Sequence, residues 1–191
     1  MTPTVALYGG SFNPPHIAHV LATRHVLTEE QVDQVWWMPV HQHAFDDKQG
    51  NVAFHHRVAM CELATADFGE HVKVSTIEAE LPGRNRTIDT LDALEERHPD
   101  TRFRLVIGAD VFQESHLWKS FDELARRAPF IVLGRTGHSV PPPWTASPDL
   151  PDIRSSHIRQ RIERGETGME DIPPTVGQYI HTHHLYAGGT P

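Results

Sequence analysis

Two histidines three residues apart, His16 and His19, follow the run Gly9-Gly10-Ser11-Phe12-Asn13-Pro14-Pro15. Before that run stands the largely apolar stretch Thr4-Val5-Ala6-Leu7-Tyr8. The pattern reads as a short strand, a tight small-residue loop and the first turn of a helix. Gly9 and Gly10 let backbone amides approach an anion closely. Pro14 and Pro15 stop the strand and pre-set the turn into the helix. At i and i+3, His16 and His19 are expected on one face of the first helical turn. There the unpaired N–H groups and the helix dipole already favour phosphate. The chemistry that fits is the holding of a nucleoside triphosphate, with Gly9, Gly10, Ser11, Phe12, His16 and His19 as candidate contacts. The run is neither Gly-x-x-x-x-Gly-Lys-Ser/Thr nor Gly-x-Gly-x-x-Gly.

Three further constellations could serve the same ligand. Leu105-Val106-Ile107-Gly108-Ala109-Asp110 carries a buried strand into Gly108, which permits close approach of a ribose or base. Asp110 then either accepts from sugar hydroxyls or caps the following turn. Trp118, beside Lys119, is either a stacking platform for an aromatic ring or a core residue closing the sheet. In Ile153-Arg154-Ser155-Ser156-His157-Ile158-Arg159, Ser155 or Ser156 is expected to cap a helix with Arg159 one turn in. Hydroxyl, helix-terminal amides and guanidinium would converge on one anion. Finally, Thr87 and Thr90 open a helix with Ile88, Leu91 and Leu94 on its apolar face.

These residues need a scaffold. Strands are expected near 4–8, 33–38, 72–76, 103–107 and 129–133. Helices are expected near 16–28, 54–66, 87–97, 117–127, 156–164 and 175–184. Such alternation predicts an α/β fold, with a mostly parallel sheet flanked by helices and a C-terminal helical segment. Ligands on such sheets bind at the carboxyl ends of strands, so the loops after Tyr8, Met38 and Ile107 are the places to look. Residues 136–152, with Pro141-Pro142-Pro143 at their centre, are expected to form a loop.

Composition removes other classes. A net charge of −8 argues against a nucleic-acid binder, and no apolar run is long enough for a membrane span. Met1-Thr2-Pro3-Thr4 shows no export signal, and one cysteine, Cys61, excludes an internal disulfide; both point to the cytoplasm. Cys61 is expected to be a buried thiol. Fifteen histidines invite a metal reading, but His41-x-His43, His55-His56 and His181-x-His183-His184 lack zinc-finger spacing. No protein-ligated metal is expected.

The loop resembles the Gly-Gly-Thr-Phe-Asp-Pro-x-His-x-Gly-His signature of the nucleotidyltransferase superfamily. Ser11 stands for Thr, Asn13 for Asp, and Ala18 for the glycine between the histidines. Ser155-Ser156-His157-Ile158-Arg159 resembles the second signature, Ile-Ser-Ser-Thr-x-Ile-Arg, with Arg154 replacing its first Ser. The resemblance extends over nearly the whole chain to the bacterial nicotinate-nucleotide adenylyltransferase family. Pro39, Lys48 and Arg57-x-x-Met60 resemble its Pro…Lys…Arg-x-x-Met stretch. Thr87-Ile88-Asp89-Thr90-Leu91 resembles its Tyr-Thr-x-x-Thr-Leu segment. Ile107-Gly108-Ala109-Asp110 through Trp118 resembles its Ile-Gly-x-Asp…Trp segment, continuing to Phe130-Ile131-Val132-Leu133-Gly134-Arg135.

That resemblance implies one Rossmann-like nucleotidyltransferase domain over residues 1–191. It implies transfer of the adenylyl group of ATP to nicotinate mononucleotide, giving deamido-NAD and pyrophosphate. His16 and His19 would contact the triphosphate, Lys48 and Arg159 would hold its β- and γ-phosphates, and Mg²⁺ would accompany ATP. Gly108, Asp110, Ser155 and Ser156 would complete the ATP site. On the acceptor side, Trp118 would stack on the pyridine ring, with Thr87 and the backbone at Lys119 holding its carboxylate. Arg86 stands where the family usually has Tyr, and His41 where an Asn commonly contacts the acceptor. Loops 41–50 and 136–152 are candidate lids. Two alternatives stay open: another phosphate acceptor (nicotinamide mononucleotide or phosphopantetheine), or a catalytically weak nucleotide-binding regulatory module.

Overall fold

The computed structural model describes residues 2–41, 52–83, 86–113, 115, 118–166 and 170–187. Lys48, His43 and the expected 41–50 lid beyond His41 lie outside the described residues. Six strands form one sheet: β1 (Thr4–Gly10), β2 (Gln34–Pro39), β3 (Val72–Val74), β4 (Arg102–Gly108), β5 (Phe130–Gly134) and β6 (Ala146–Asp149). Their order is β3-β2-β1-β4-β5-β6, and every neighbouring pair is parallel. The chain leaves β1 toward one edge, then returns to lay β4 on its other side. The order therefore reverses between β1 and β4, which opens a crevice at their carboxyl ends.

Parallel strands must be covered on both faces, and their side chains alternate between two cores. Ala6, Val35, Trp37, Val106, Ile131 and Leu133 face one way. There they meet α1 (Ile17–Glu29), α2 (Phe54–Thr65), α6 (Ser155–Glu163) and α7 (Pro174–Thr182). Leu7, Trp36, Phe103, Leu105, Ile107 and Val132 face the other way. They meet α3 (Ile77–Glu80), α4 (Thr87–Arg97) and α5 (Phe121–Arg127). Ile88, Leu91 and Leu94 form the buried stripe of α4 as expected. Cys61 is buried and unpaired, and burial holds its thiol well above the ordinary range.

Several boundaries differ from those the sequence pattern predicts. Gly9 and Gly10 are not loop residues: they end β1, opposite Met38 and Pro39 of β2. The 136–152 segment is not all loop, because Ala146–Asp149 forms edge strand β6, paired with β5 around Gly134. A Cβ at Gly134 would overlap the Ser147 carbonyl oxygen, so this pairing needs glycine there. The expected 117–127 helix starts only at Phe121, because Ser120 sits at φ 60°. The 72–76 strand ends at Val74, and no hydrophobic pattern announces the one-turn helix α3.

Candidate active site

A crevice of about 260 Å³ lies at the carboxyl ends of β1, β4 and β5. Five of the expected ATP contacts line it: Gly9, His16, His19, Gly108 and Asp110. Ala18 lines it as well. A Cβ at Gly9 would meet nothing within 4 Å, so its backbone faces open space.

The histidines share one wall in a different way from that expected. His16 is the extended residue preceding α1, and His19 occupies the third helical position. Their rings stack at 3.7 Å between centroids. The His16 amide donates to His19 Nδ1 at 3.1 Å, which leaves the ring proton of neutral His19 on Nε2. Burial, seconded by the Arg135 charge, pushes His16 down to about 4. Burial, then His16 and Arg135, holds His19 well below its ordinary value. The pair is neutral at pH 7 and offers N–H donors rather than charges.

Gly10, Ser11 and Phe12 do not line the crevice. Phe12 is buried, at φ 45°, and stacks on Trp37 at 4.5 Å between centroids. Its ring lies 3.2 Å from where a Cβ of Gly10 would stand. Gly10 therefore makes room for an aromatic ring, not for an anion. The loop's carbonyls turn away from the crevice. Arg57 Nη1 donates to Ser11 O at 2.9 Å, Arg159 Nη1 to Asn13 O at 2.9 Å, and Ser155 Oγ to Pro14 O at 2.8 Å. Neither serine caps α6: Arg154 precedes it, Ser155 is its first residue, and Ser156 is exposed. Arg154 pairs with Asp152 through both Nε and Nη2. Instead of converging on open space, Ser155 and Arg159 lash α6 to the loop.

Beside Gly108, the close approach comes from the chain itself: a Cβ there would overlap Asp110 Oδ1. Asp110 is the second residue of a short 3₁₀ turn, Ala109–Gln113, and accepts from Arg135 Nη1 at 2.7 Å. Arg135 and Tyr8 also line the crevice, and sequence reasoning missed both as site residues. Burial pushes the Tyr8 phenol up, so it remains a protonated donor. A signal for Arg135 existed: it follows directly the carboxyl end of β5, as Asp110 follows that of β4. The Arg57-x-x-Met60 resemblance points to the buried Arg57 but not to its task, because its partner, Ser11 O, lies 46 residues away.

The acceptor candidates spread along the same edge of the sheet. The His41 amide donates to Glu78 Oε2 at 3.1 Å, and its ring meets Phe54 at 4.9 Å. Arg86 precedes α4, and its amide donates to Asp89 Oδ2 at 3.0 Å. Thr87 is the first residue of α4 and half-buried. Lys119 pairs with Asp89 at 3.2 Å, which brings the Trp118-Lys119 segment to the start of α4. Trp118 is half-buried, edge-on to Phe121, so it is both part of the core and open on one side. Among the described residues, no group of three or more His, Cys, Asp or Glu could hold a metal ion. No helix among them is long and apolar enough to cross a membrane.

The family model described as Cytidylyltransferase-like matches residues 7–161. A probable nicotinate-nucleotide adenylyltransferase of Myxococcus xanthus is 40% identical over 182 residues, covering 95% of this chain and 94% of that one. One of Anaeromyxobacter dehalogenans is 41% identical over 187 residues, covering 96% and 97%. The fold is similar to that of Plasmodium falciparum nicotinic acid mononucleotide adenylyltransferase, solved as a complex with NaAD. The TM-score is 0.80 at 21% identity, covering 96% of this chain and 97% of that one.

Proposed function

The chain belongs to the cytidylyltransferase-like family and, within it, to the nicotinate-nucleotide adenylyltransferases, and from that premise we propose how its residues join ATP to nicotinate mononucleotide. The products are deamido-NAD and pyrophosphate, a step of NAD biosynthesis. The observation that carries the reading is the stacked, neutral His16–His19 pair in a crevice at the β1/β4 switch point.

The 5′-phosphate of the acceptor is already an anion, so no general base is needed. Its oxygen attacks the α-phosphorus as the bond to the bridging oxygen breaks, and pyrophosphate leaves with the electron pair. Catalysis is then positioning and charge stabilisation. The Nε2–H of His19 and the His16 ring donate to phosphate oxygens as their charge shifts. The positive end of α1 adds to the same field. Gly9 lets the nucleotide lie close to β1, while Asp110 and Arg135 border the ribose and phosphates. Ser155 and Arg159 hold the loop, and Lys48 and Ser156 complete the phosphate side. Trp118 stacks on the pyridine ring, with Arg86, Thr87, Lys119 and His41 around the rest of the acceptor.

Asp110 is the one carboxylate among the described residues lining the crevice, and it is tied to Arg135. That donor set suits Mg²⁺ carried in on the triphosphate's own oxygens and water. When bound, the ion neutralises part of the phosphate charge. One nucleotidyltransferase domain spans the chain, and the free thiol of Cys61 suits a reducing cytoplasm. The test is pyrophosphate release with ATP, Mg²⁺ and each acceptor in turn, with the dinucleotide identified by mass. Strong preference for nicotinate mononucleotide is expected. Release only with a different phosphate acceptor, or none with any, overturns the assignment.

A further inference from the structure

The loop 11–15 has a front and a back. Its front leads into His16 and the crevice. Its back is gripped by side chains far away in sequence. Arg57, Ser155 and Arg159 take its main-chain carbonyls. A fourth group takes a side chain: the Tyr186 hydroxyl donates to Asn13 Oδ1 at 2.7 Å, across 173 residues. Asn13 is 1% exposed, and the same oxygen also receives the Val52 amide, at a longer 3.4 Å. Tyr186 supplies the shorter of these two bonds to a buried acceptor, where loss of a partner is costly.

The chain bends sharply to make this contact. After α7 ends, His184 at φ 49° and Tyr186 at φ 61° both lie in the left-handed region. Bulky side chains rarely adopt it, and it persists only where the surroundings enforce it. Leu185, between them, is buried in the core with α7's Val176 and Ile180, and Tyr186 packs on the same cluster. Burial keeps the Tyr186 phenol protonated, so it stays a donor. A turn that only closed the core could have ended at Leu185.

We propose that Tyr186 is a positioning residue for adenylyl transfer, its hydroxyl fixing the Asn13 side chain and so the loop that sets His16 and His19 against the triphosphate. The inference rests on the adenylyl-transfer reading of the crevice. Asn13 and His16 are separated only by Pro14 and Pro15, so slack at Asn13 passes directly to the histidine wall. Small displacements of such groups are costly in rate: an ångström can mean about 10²-fold.

Tyr186→Phe in the full chain removes the hydroxyl and keeps the ring. Tyr179→Phe is the control: its hydroxyl pairs with His56 Nδ1 of α2 at 2.9 Å and not with the 11–15 loop. Two readouts apply: steady-state pyrophosphate release with ATP and nicotinate mononucleotide, and hydrogen exchange of a peptide spanning residues 9–19. For Tyr186→Phe, kcat is expected to fall about tenfold with the acceptor KM within about twofold, as a positioning defect requires. Exchange across 9–19 should rise severalfold, and Tyr179→Phe should change neither readout. A Tyr186→Phe kcat within about twofold of the parent overturns the proposal. So does an equal fall in both variants. If the parent releases no pyrophosphate, the adenylyl-transfer reading fails by itself. Hydrogen exchange then still decides the latch, and an unchanged 9–19 peptide in Tyr186→Phe overturns it.

Discussion

His16 and His19 are neutral before any substrate arrives, and this has a cost on the acid side. The folded-state value of His16, about 4, lies below its ordinary 6.5. Between those values the unfolded chain binds more protons than the folded one, so stability rises with pH across that window. The contribution is complete above about 6.5 and is lost as pH falls toward 4. The melting temperature should therefore drop between pH 7 and pH 4.5 more steeply in the parent than in His16→Gln, which cannot charge. Parallel curves would mean that His16 is not held neutral by the fold. In the proposed mechanism the same residues are donors aimed at developing charge. His19→Ala should lower kcat at least about 10²-fold, as loss of one such donor does elsewhere. Unchanged turnover would remove His19 from the mechanism. Both residues were legible from type and spacing. Their geometry was not: His16 sits before the helix, and ring stacking with His19 depends on a backbone bend that no spacing rule describes.

Among the elements, legibility followed hydrophobic pattern. Val5-Ala6-Leu7, Leu105-Val106-Ile107 and Phe130 through Leu133 are apolar runs that announce buried parallel strands. Ala146-Ser147-Pro148-Asp149 carries no such run, and β6 exists because β5 offers it an edge and Gly134 offers it room. The Gly134 amide donates to Ser147 Oγ at 3.0 Å across that gap. A methyl at this point would meet backbone, which cannot swing aside. Gly134→Ala should thus cost about 1–3 kcal/mol, the usual range for overpacking. The measurement is urea unfolding, read as a lower midpoint with unchanged slope. A midpoint equal to the parent's would show that β6 yields freely. The grip on the loop's back was invisible for a related reason. Arg57, Ser155, Arg159 and Tyr186 reach it from 46 to 173 residues away, and nothing in their local sequence names the loop as their partner. Only the closed sheet, with α2, α6 and the segment after α7 on one face, brings them together.

At the scale of the whole molecule, charge and function pull in opposite directions. The chain carries a net charge of −8, and both proposed substrates are anions. Cations near the crevice are largely spoken for: Arg135 by Asp110, Arg154 by Asp152. Encounter therefore proceeds against the long-range field, while binding relies on short-range N–H donors and helix-terminal amides. The two regimes separate with salt. A folded chain of this length has a radius of gyration of about 16 Å. The screening length is about 30 Å at 0.01 M and about 8 Å at 0.15 M. At low salt an approaching nucleotide feels the full acidic molecule; at physiological salt it feels only the crevice. With free Mg²⁺ held constant, kcat/KM for ATP should rise a few-fold between those ionic strengths, since screening removes the repulsion. The value of kcat should stay flat, because contacts inside the crevice are shielded from bulk ions. A fall in kcat/KM over the same range would show that local cations, not the net charge, govern the encounter, as they do in enzymes that steer their anionic substrates.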